Sequence, residues 1–357
     1  MLNAARALII DPLAFALRAT GGVSRVWATL LPKFLASDVP MEFIGCADSV
    51  DALQGDLITA LSRLERHYRI PAKLRRFVPY NGPGVFFPSA PRPCLRGIAN
   101  VQLVHDCIKD LYYQPPKVTL ARIRRGRIYR NASALIAISE ATRLDLVRAY
   151  GDEIRDRITV IYNPVDGDYI GRCAEAEAPS ADWFRLREQI GNRPFCVFIG
   201  YRAGVKNFIE TAQLLDALPD HVVVAVGAPA TPAEAAMAKR ANGRIIFAGR
   251  LVDPVMFRLL KESHFLFWPS MLEGFGLPIV ESLLLGTPVL GLSTQVNLDV
   301  SMGLITTYES GSVSSMRDAV GRMRRLELVD PMHTKLVARY DPDVVAGRYL
   351  DVIRKLL

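Results

Sequence analysis

Two carboxylates, Glu273 and Glu281, bracket a glycine-spaced loop in the stretch PSMLEGFGLPIVESLLLGTPVL (269–290). Pro278 suits the first turn of a helix running from about Leu277 to Leu285 and stopping at Gly286. Glu281 then lies in the first turns, near the free amides and the positive end of the helix dipole. Gly274 and Gly276 let a ligand come close to the backbone beside Glu273. On one continuous helix the two acids would point roughly 80° apart. A loop running into a helix start removes that constraint, so both can face one ligand. Carboxylates accept hydrogen bonds from sugar diols and repel phosphates, so a polyhydroxylated ligand is the chemistry they fit. The competing reading makes Glu281 a helix cap and Glu273 a surface acid.

A complementary pair of cations lies upstream. In Gly200-Tyr-Arg-Ala-Gly-Val-Lys206 an apolar run ends at a glycine, and Arg202 and Lys206 follow in the loop. Cations and free amides at a helix start are what a pyrophosphate needs. The pattern is not G-x-x-x-x-G-K-[ST], nor does Gly21-Gly22 complete a G-x-G-x-x-G. A solvated surface pair has the same sequence appearance, so the cations alone leave both readings open.

The elements that must hold these residues read as an α/β fold with parallel sheets, because apolar runs alternate with helix-like segments. Strands are expected at ARALIID (5–11), VQLVHD (101–106), ALIAIS (134–139), RITVIYNPVD (157–166), FCVFIG (195–200), HVVVAVG (221–227), GRIIFAG (243–249), FLFWPS (265–270) and TPVLGL (287–292). Helices are expected over 21–36, after an N-cap at Ser139 up to Gly151, near 207–218 and 255–263, and in the tail 341–357. The polar, alanine-rich stretch 171–194 reads as a connection between two domains, 1–170 and 171–340, and the tail by itself reads only as an amphipathic helix. Gly21-Gly22, His105-Asp106, Asn163-Pro164, Gly200–Lys206 and Glu273–Glu281 all fall just after strands. In doubly wound domains that is the ligand edge, which points to a shared cleft.

At 357 residues, half of them apolar, the chain fits two domains with cores of ordinary size. Five cysteines with no C-x-x-C read as reduced thiols of a cytosolic protein. No window reaches the ~20 apolar residues of a spanning helix, and Asp11 and Pro12 break the N-terminal apolar run, so neither a membrane span nor a leader is expected. The net charge of +8 is concentrated: residues 57–130 hold 15 Lys/Arg against three acids, and the rest of the chain is mildly acidic. The basic stretch 63–130 suits an anionic membrane surface, a lipid pyrophosphate or a nucleic acid, against the bland alternative of a solvated face.

With the two acids, the E-x7-E block and its Gly-Phe-Gly-Leu-Pro core, the chain resembles the retaining family-4 glycosyltransferases of GT-B fold. Gly21-Gly22, His105-Asp106, Ser139-Glu140, Asn163-Pro-Val-Asp166, Arg202…Lys206, Gly249-Arg250 and Pro269-Ser270 agree in order and spacing over nearly the whole chain. Pro164 departs from the glycine of many relatives, and the region from 45 to 100, where such enzymes hold their acceptor, is not recognisable.

The resemblance implies two Rossmann-like doubly wound domains facing a central cleft, with the tail helix 341–357 crossing back to the first domain, and a roster of roles. Glu281 would bind the ribose of a nucleotide-sugar donor. Glu273 and the amides of Gly274, Phe275, Gly276 and Leu277 would hold the sugar. Arg202 and Lys206 would neutralise the departing diphosphate, His105 would attend the anomeric centre, and Gly21 and Gly22 would approach the diphosphate or acceptor. It implies metal-independent hexosyl transfer with retention, no cofactor beyond the donor, and a saccharide or lipid-linked acceptor of a bacterial surface polysaccharide: lipopolysaccharide O-antigen, capsule or exopolysaccharide. GDP-mannose is a guess from the family's bacterial members. The enzyme would be cytoplasmic and peripheral to the inner face of the membrane. Asp166-Gly-Asp168 imitates a metal-holding D-x-D, but sits at the family's Asn-x-Val-Asp turn, so no metal is expected there. Tyr112-Tyr113 with Pro115-Pro116 reads equally as an acceptor groove or an exposed loop. Two other reactions share the fold, nucleotide-sugar epimerisation and sugar phosphorolysis. A basic nucleic-acid-binding protein is the non-enzymatic alternative, but it leaves the paired acids unexplained, since carboxylates in a polyanion groove repel, and no nucleic-acid partner is expected.

Overall fold

The computed structural model describes residues 6–11, 21–45, 67–69, 82–113, 117–176 and 181–357. The chain divides into two compact units, one formed by Met1–Val165 with Arg339–Leu357 and the other by Asp166–Ala338.

The first unit runs β1 (Ala7–Asp11), α1 (Gly22–Leu35), β2 (Met41–Gly45), β3 (His67–Arg69), β4 (Gly84–Pro88), β5 (Ala99–Val104), α2 (Ile108–Tyr112), α3 (Lys117–Asn131), β6 (Ala134–Ala137), α4 (Glu140–Tyr150) and β7 (Ile158–Val160). Its strands pair in parallel in the order β3-β2-β1-β4-β5-β6-β7. β1 is buried along its whole length, as its unbroken apolar run ALII requires of a strand covered on both faces. Ser139 caps α4 by accepting from the Thr142 amide at 3.1 Å, and Gly151 ends it at φ +96°.

The second unit runs α5 (Gly167–Glu175), α6 (Ala181–Ile190), β8 (Phe195–Ile199), α7 (Thr211–Ala217), β9 (Val222–Val226), α8 (Pro232–Arg240), β10 (Ile245–Gly249), α9 (Asp253–Glu262), β11 (Phe265–Trp268), α10 (Leu277–Leu284), β12 (Val289–Leu292), α11 (Gln295–Val300), β13 (Thr306–Tyr308), α12 (Val313–Arg322) and α13 (Pro331–Tyr340). The parallel order is β10-β9-β8-β11-β12-β13. The chain therefore winds outward from β8 in one direction, then restarts at β11 on its other side. That reversal makes the β8/β11 boundary the topological switch point, where the loops leaving two adjacent strands part and open a crevice. Both units are Rossmann-like.

Residues 171–194, read from sequence as a connection, are largely helical and integral to the second unit. Ile170 and Ala174 of α5 and Trp183, Leu186 and Ile190 of α6 are buried. Alanine-rich composition disguised apolar residues at helical spacing. The last helix, α14 (Pro342–Arg354), belongs to the first unit. Its Tyr349 ring lies 5.8 Å from Phe87 and 6.1 Å from Phe34, and Trp27 of α1 lies 5.0 Å from Phe87. Lys33 of α1 donates to Asp343 at 2.8 Å. No helix among the described residues is long and apolar enough to cross a membrane.

Candidate active site

At the switch point of the second unit, the loops leaving β8 and β11 are stitched together. The Met271 amide donates to the Val205 carbonyl at 2.8 Å, and Ser270 Oγ donates to the same oxygen at 3.3 Å. The β8 loop turns through Gly204 and Asn207, both in the left-handed region at φ +58° and +52°. This delivers Lys206 to Glu273: Nζ forms an ion pair with Oε1 and lies 4.7 Å from the centre of the Trp268 ring. A cation and a carboxylate thus meet at the mouth of the crevice, each partly open to solvent.

Beyond Glu273 the glycine loop enters α10. Gly276 takes φ +92°, where a side chain is strained, and a Cβ there would also press on Ile279 Cδ1 at 3.1 Å. Pro278 occupies the first turn, with the Ile279 amide donating to Gly276 O at 2.9 Å. Glu281 is the fifth residue of the helix and only 2% exposed. Phe275 is buried beside the loop. A carboxylate this deep in an apolar helix is costly to bury unless hydrogen bonds support it.

Arg202 shares the β8 loop with Lys206 but is engaged elsewhere. Its side chain is 3% exposed. Nε donates to Glu234 Oε1 at 2.9 Å, and Nη2 donates to the carbonyls of Ala228 and Pro229 at 2.7 and 2.8 Å. The guanidinium also lies 5.0 Å from the Phe247 ring centre and 5.7 Å from that of Phe208. Burial opposes ionisation of Glu234, but hydrogen bonds from Arg202 and Thr231 outweigh it and leave the carboxyl below its ordinary range. Arg202 therefore braces the loop between β9 and α8, the next loop along this edge.

Three neighbouring strands of that edge end in glycine. Gly200 N donates to Val226 O at 3.0 Å, and Gly227 N donates to Gly249 O at 2.8 Å. A Cβ on Gly227 would stand 2.5 Å from the Gly200 carbonyl oxygen, whereas one on Gly200 or Gly249 would meet nothing within 4 Å. The strand ends form a backbone shelf that faces open space at Gly200 and Gly249. Gly227, Glu234 and Trp268 were missed by sequence reasoning; the recurring signal FIG, AVG, FAG at the ends of β8, β9 and β10 would have revealed the shelf.

In the first unit, Gly21 is the N-cap residue of α1 and Gly22 its first helical residue, following β1 at that sheet's own switch point. His105 follows β5; burial lowers its pKa to about 4, so the imidazole is neutral at neutral pH. Asp106 turns away to accept from the Ile108 amide at 3.1 Å. Asp166 of the D-x-D lookalike caps α5, accepting from Tyr169 N at 2.8 Å. Among the described residues no group of three or more His, Cys, Asp or Glu could hold a metal ion. His221 and His264 hydrogen-bond to each other at 2.9 Å, and His333 bonds to Leu284 O at 3.0 Å. Residues 46–66 and 70–81, most of the unrecognised acceptor region, and Pro115-Pro116 lie outside the described residues.

Residues 20–169 match the model of Glycosyltransferase Family 4, and residues 193–323 match that of Glycosyl transferases group 1. A 2-deoxystreptamine glucosyltransferase of Streptomyces kanamyceticus is 29% identical over 213 residues, 55% of this chain and 53% of that protein. The O-antigen biosynthesis glycosyltransferase WclY of Escherichia coli is 26% identical over 121 residues, 33% of this chain and 34% of its own length. The alignments thus span between a third and about half of these curated relatives. Among solved structures, Anabaena HepE in complex with UDP superposes with a TM-score of 0.66 at 17% identity, covering 98% of this chain and 100% of that one. WaaG, a glycosyltransferase involved in lipopolysaccharide biosynthesis, gives 0.60 at 14% identity over 97% and 99%.

Proposed function

We propose that the chain, whose two units match glycosyltransferase family models and share the GT-B fold, moves a hexose from a nucleoside diphosphate sugar to a saccharide or lipid-linked saccharide, with retention and without a metal ion. The observation that carries this reading is the Lys206–Glu273 ion pair at the switch point, on a glycine loop that runs into the buried Glu281. In the catalytic state Lys206 meets the diphosphate and Glu273 the sugar hydroxyls. Glu281 holds the ribose, and the amides of Gly274 to Leu277 support the sugar. Arg202 contributes by fixing the β9–α8 loop and by adding positive charge behind it. In the roles the resemblance implies, neutral His105 attends the transferred sugar, and Gly21-Gly22, at the start of α1, meets the diphosphate or the acceptor. Positive charge placed where the leaving diphosphate develops its own charge lowers the barrier to departure.

The relatives favour a surface-polysaccharide setting: WclY is named for O-antigen biosynthesis and WaaG for lipopolysaccharide biosynthesis. HepE was captured with UDP, so uridine joins guanosine as a donor base to test, alongside GDP-mannose. A cytoplasmic enzyme held peripherally at an anionic membrane by its basic stretch fits a lipid-linked acceptor. The test is a thermal-shift screen across UDP, GDP, ADP and their sugars, since a ligand bound at 100 times its Kd stabilises by about 2.7 kcal/mol. Glu281→Gln, which preserves volume, removes the shift. No shift with any nucleotide in the parent protein sinks the reading. The anomeric configuration of the product, read by NMR coupling constants, decides retention.

A further inference from the structure

The candidate active site lies where β8 and β11 finish. Where the same two strands begin, a cavity of about 540 Å³ opens, lined by Arg187, Arg193, Phe195, Glu262, His264 and Arg325 among others. The strands pair in parallel at that end, Phe265 with Cys196, and the His264 amide donates to Phe195 O at 2.8 Å, so the floor is hydrogen-bonded backbone. The five residues of β8, roughly 16 Å of strand, separate this cavity from the loops that carry Lys206 and Glu273. The strands themselves fill that distance, so one ligand cannot occupy both places.

α6 ends at Ile190 and α9 at Glu262, so both helices turn their carbonyl ends, the negative ends of their dipoles, toward this cavity. Arginines beside such ends have an ordinary explanation, which is to cap the last carbonyls. Arg193 does so, donating to Gln189 O at 2.7 Å and Ile190 O at 3.0 Å. The other two cations are not used that way on α6. Arg187, in its last turn, lies 5.9 Å from the centre of the Trp183 ring. Arg325, which follows α12, donates to Ser263 O and, at 3.5 Å, to Thr287 Oγ1. Carbonyls, a hydroxyl and an aromatic face cancel no charge, and among the described residues none of the three arginines meets a carboxylate. Arg193 and Arg325 each spend two of a guanidinium's five N–H donors on these contacts. Glu262, the one acid lining the cavity, is already paired with Arg258 at 3.1 Å. Positive charge is gathered closely enough that Arg325 adds to burial in lowering the pKa of His264. It gathers here although the chain outside residues 57–130 is mildly acidic as a whole.

We propose that this cavity is a second binding site, for a small phosphorylated metabolite whose phosphate or diphosphate is held by Arg187, Arg193 and Arg325. Its hydroxyl-bearing part faces Asn192 and Glu262, which also line the cavity. The guanidinium fork matches phosphate oxygens bidentately, and the volume is in the range of small-molecule sites. Helix N-termini, the usual backbone source of positive charge for an anion, belong to the opposite edge of a parallel sheet. At this edge the arginine side chains must supply all of it, which accounts for three of them where capping needs one. The inference goes beyond the proposed transfer reaction and does not depend on it.

The test is titration calorimetry of the full chain with inorganic pyrophosphate. It is run in a Lys206→Met background, which removes the cation that the proposed function gives to the donor diphosphate. Pyrophosphate binding is expected to persist in that background. Adding Arg187→Glu/Arg193→Glu weakens it about tenfold or more, because charge-assisted hydrogen bonds are replaced by repulsion. Arg187→Gln/Arg193→Gln, which keeps the side chains neutral and long, weakens it in the same direction should the charge reversal fail to fold. Lys239→Glu/Arg240→Glu on α8 makes the same change of charge elsewhere on the unit and leaves binding unchanged. Parallel titrations with glucose 1-phosphate and with UDP distinguish a sugar phosphate from a nucleotide as the ligand. A Lys206→Met protein that binds no pyrophosphate, arginine variants that bind it as Lys206→Met does, or an α8 variant that weakens it equally would each overturn the proposal. The nucleotide-sugar thermal shift is measured on the same proteins with Lys206 intact. A shift retained in Arg187→Glu/Arg193→Glu shows that the transfer site is separate. A shift absent from the parent, with pyrophosphate still bound in Lys206→Met, removes the proposed function and spares this site.

Discussion

Lys206 and Glu273 reach each other across 67 positions of sequence because the loops after β8 and β11 are hydrogen-bonded side by side at the switch point. The ammonium and carboxylate neutralise one another, and Trp268 shields one side of the lysine. Under the proposed function a donor exchanges that pairing: phosphate takes the lysine and sugar hydroxyls take the acid. Glu273→Gln therefore frees the lysine. Titration calorimetry should show it binding a bare nucleoside diphosphate as well as or better than the parent, while losing the extra affinity conferred by the sugar. Lys206→Met should weaken both by about 10- to 100-fold, the range of a charge-assisted hydrogen bond. A Glu273→Gln protein that loses bare diphosphate and intact donor alike would contradict the exchange.

Much of this arrangement was legible in the chain. The glycine loop and Pro278 fixed where α10 starts, so Glu281 could be placed on the helix and Glu273 before it. The alternation of apolar runs located most strands of the second unit. Two things were not legible. Arg202 and Lys206 look equivalent in sequence, four apart in one loop, yet only the fold decides that one turns under the β9–α8 loop and the other into the crevice. The helices α5 and α6 were hidden because alanine scores as filler, and the buried stripe of α5 is recognisable only once α9 is there to cover it.

The buried position of Arg202 makes a stability prediction. Arg202→Met leaves two carbonyl oxygens without this donor and Glu234 without its cation, and should cost about 3 kcal/mol, the lower end for breaking a buried pair because Glu234 keeps the Thr231 amide and some solvent. Arg202→Lys should recover less than half, since an ammonium lacks the planar fork that serves the carboxylate and both carbonyls. Urea midpoints at constant m-value measure this. A loss below about 1 kcal/mol would return Arg202 to the class of weakly contributing surface cations.

His105 makes a pH prediction whose direction follows from its lowered pKa, about 4 against 6.5 in the unfolded chain. As pH falls through that window the unfolded chain takes up a proton that the folded protein refuses. Its contribution to stability is therefore full above pH 6.5 and declines toward pH 4, with a limiting slope of about 1.4 kcal/mol per pH unit. His221 and His264, also lowered by burial, act in the same direction. The informative quantity is thus the difference between parent and His105→Asn in melting temperature across pH. The two curves should converge toward acid and separate above pH 6.5; parallel curves would show an imidazole that titrates normally.

Gly227 tests the backbone shelf without touching a charged group. Its φ of +147° is strained for a side chain, and a Cβ would stand 2.5 Å from the Gly200 carbonyl oxygen, a backbone atom that cannot swing aside. Gly227→Ala must therefore spread the ends of β8 and β9, whose last pairing is the Gly200 N to Val226 O hydrogen bond. Strain at such a position costs on the order of 1–3 kcal/mol. Gly249→Ala is strained as well, at φ +72°, but its Cβ projects into open space. Both variants should lose some stability, so the discriminating readout is nucleotide affinity relative to stability. If the shelf carries the nucleotide, Gly227→Ala loses affinity because the floor is deformed, and Gly249→Ala loses it because a methyl group occupies the ligand's space. Calorimetric affinities equal to the parent's in both folded variants would place the nucleotide elsewhere, whatever the melting temperatures show.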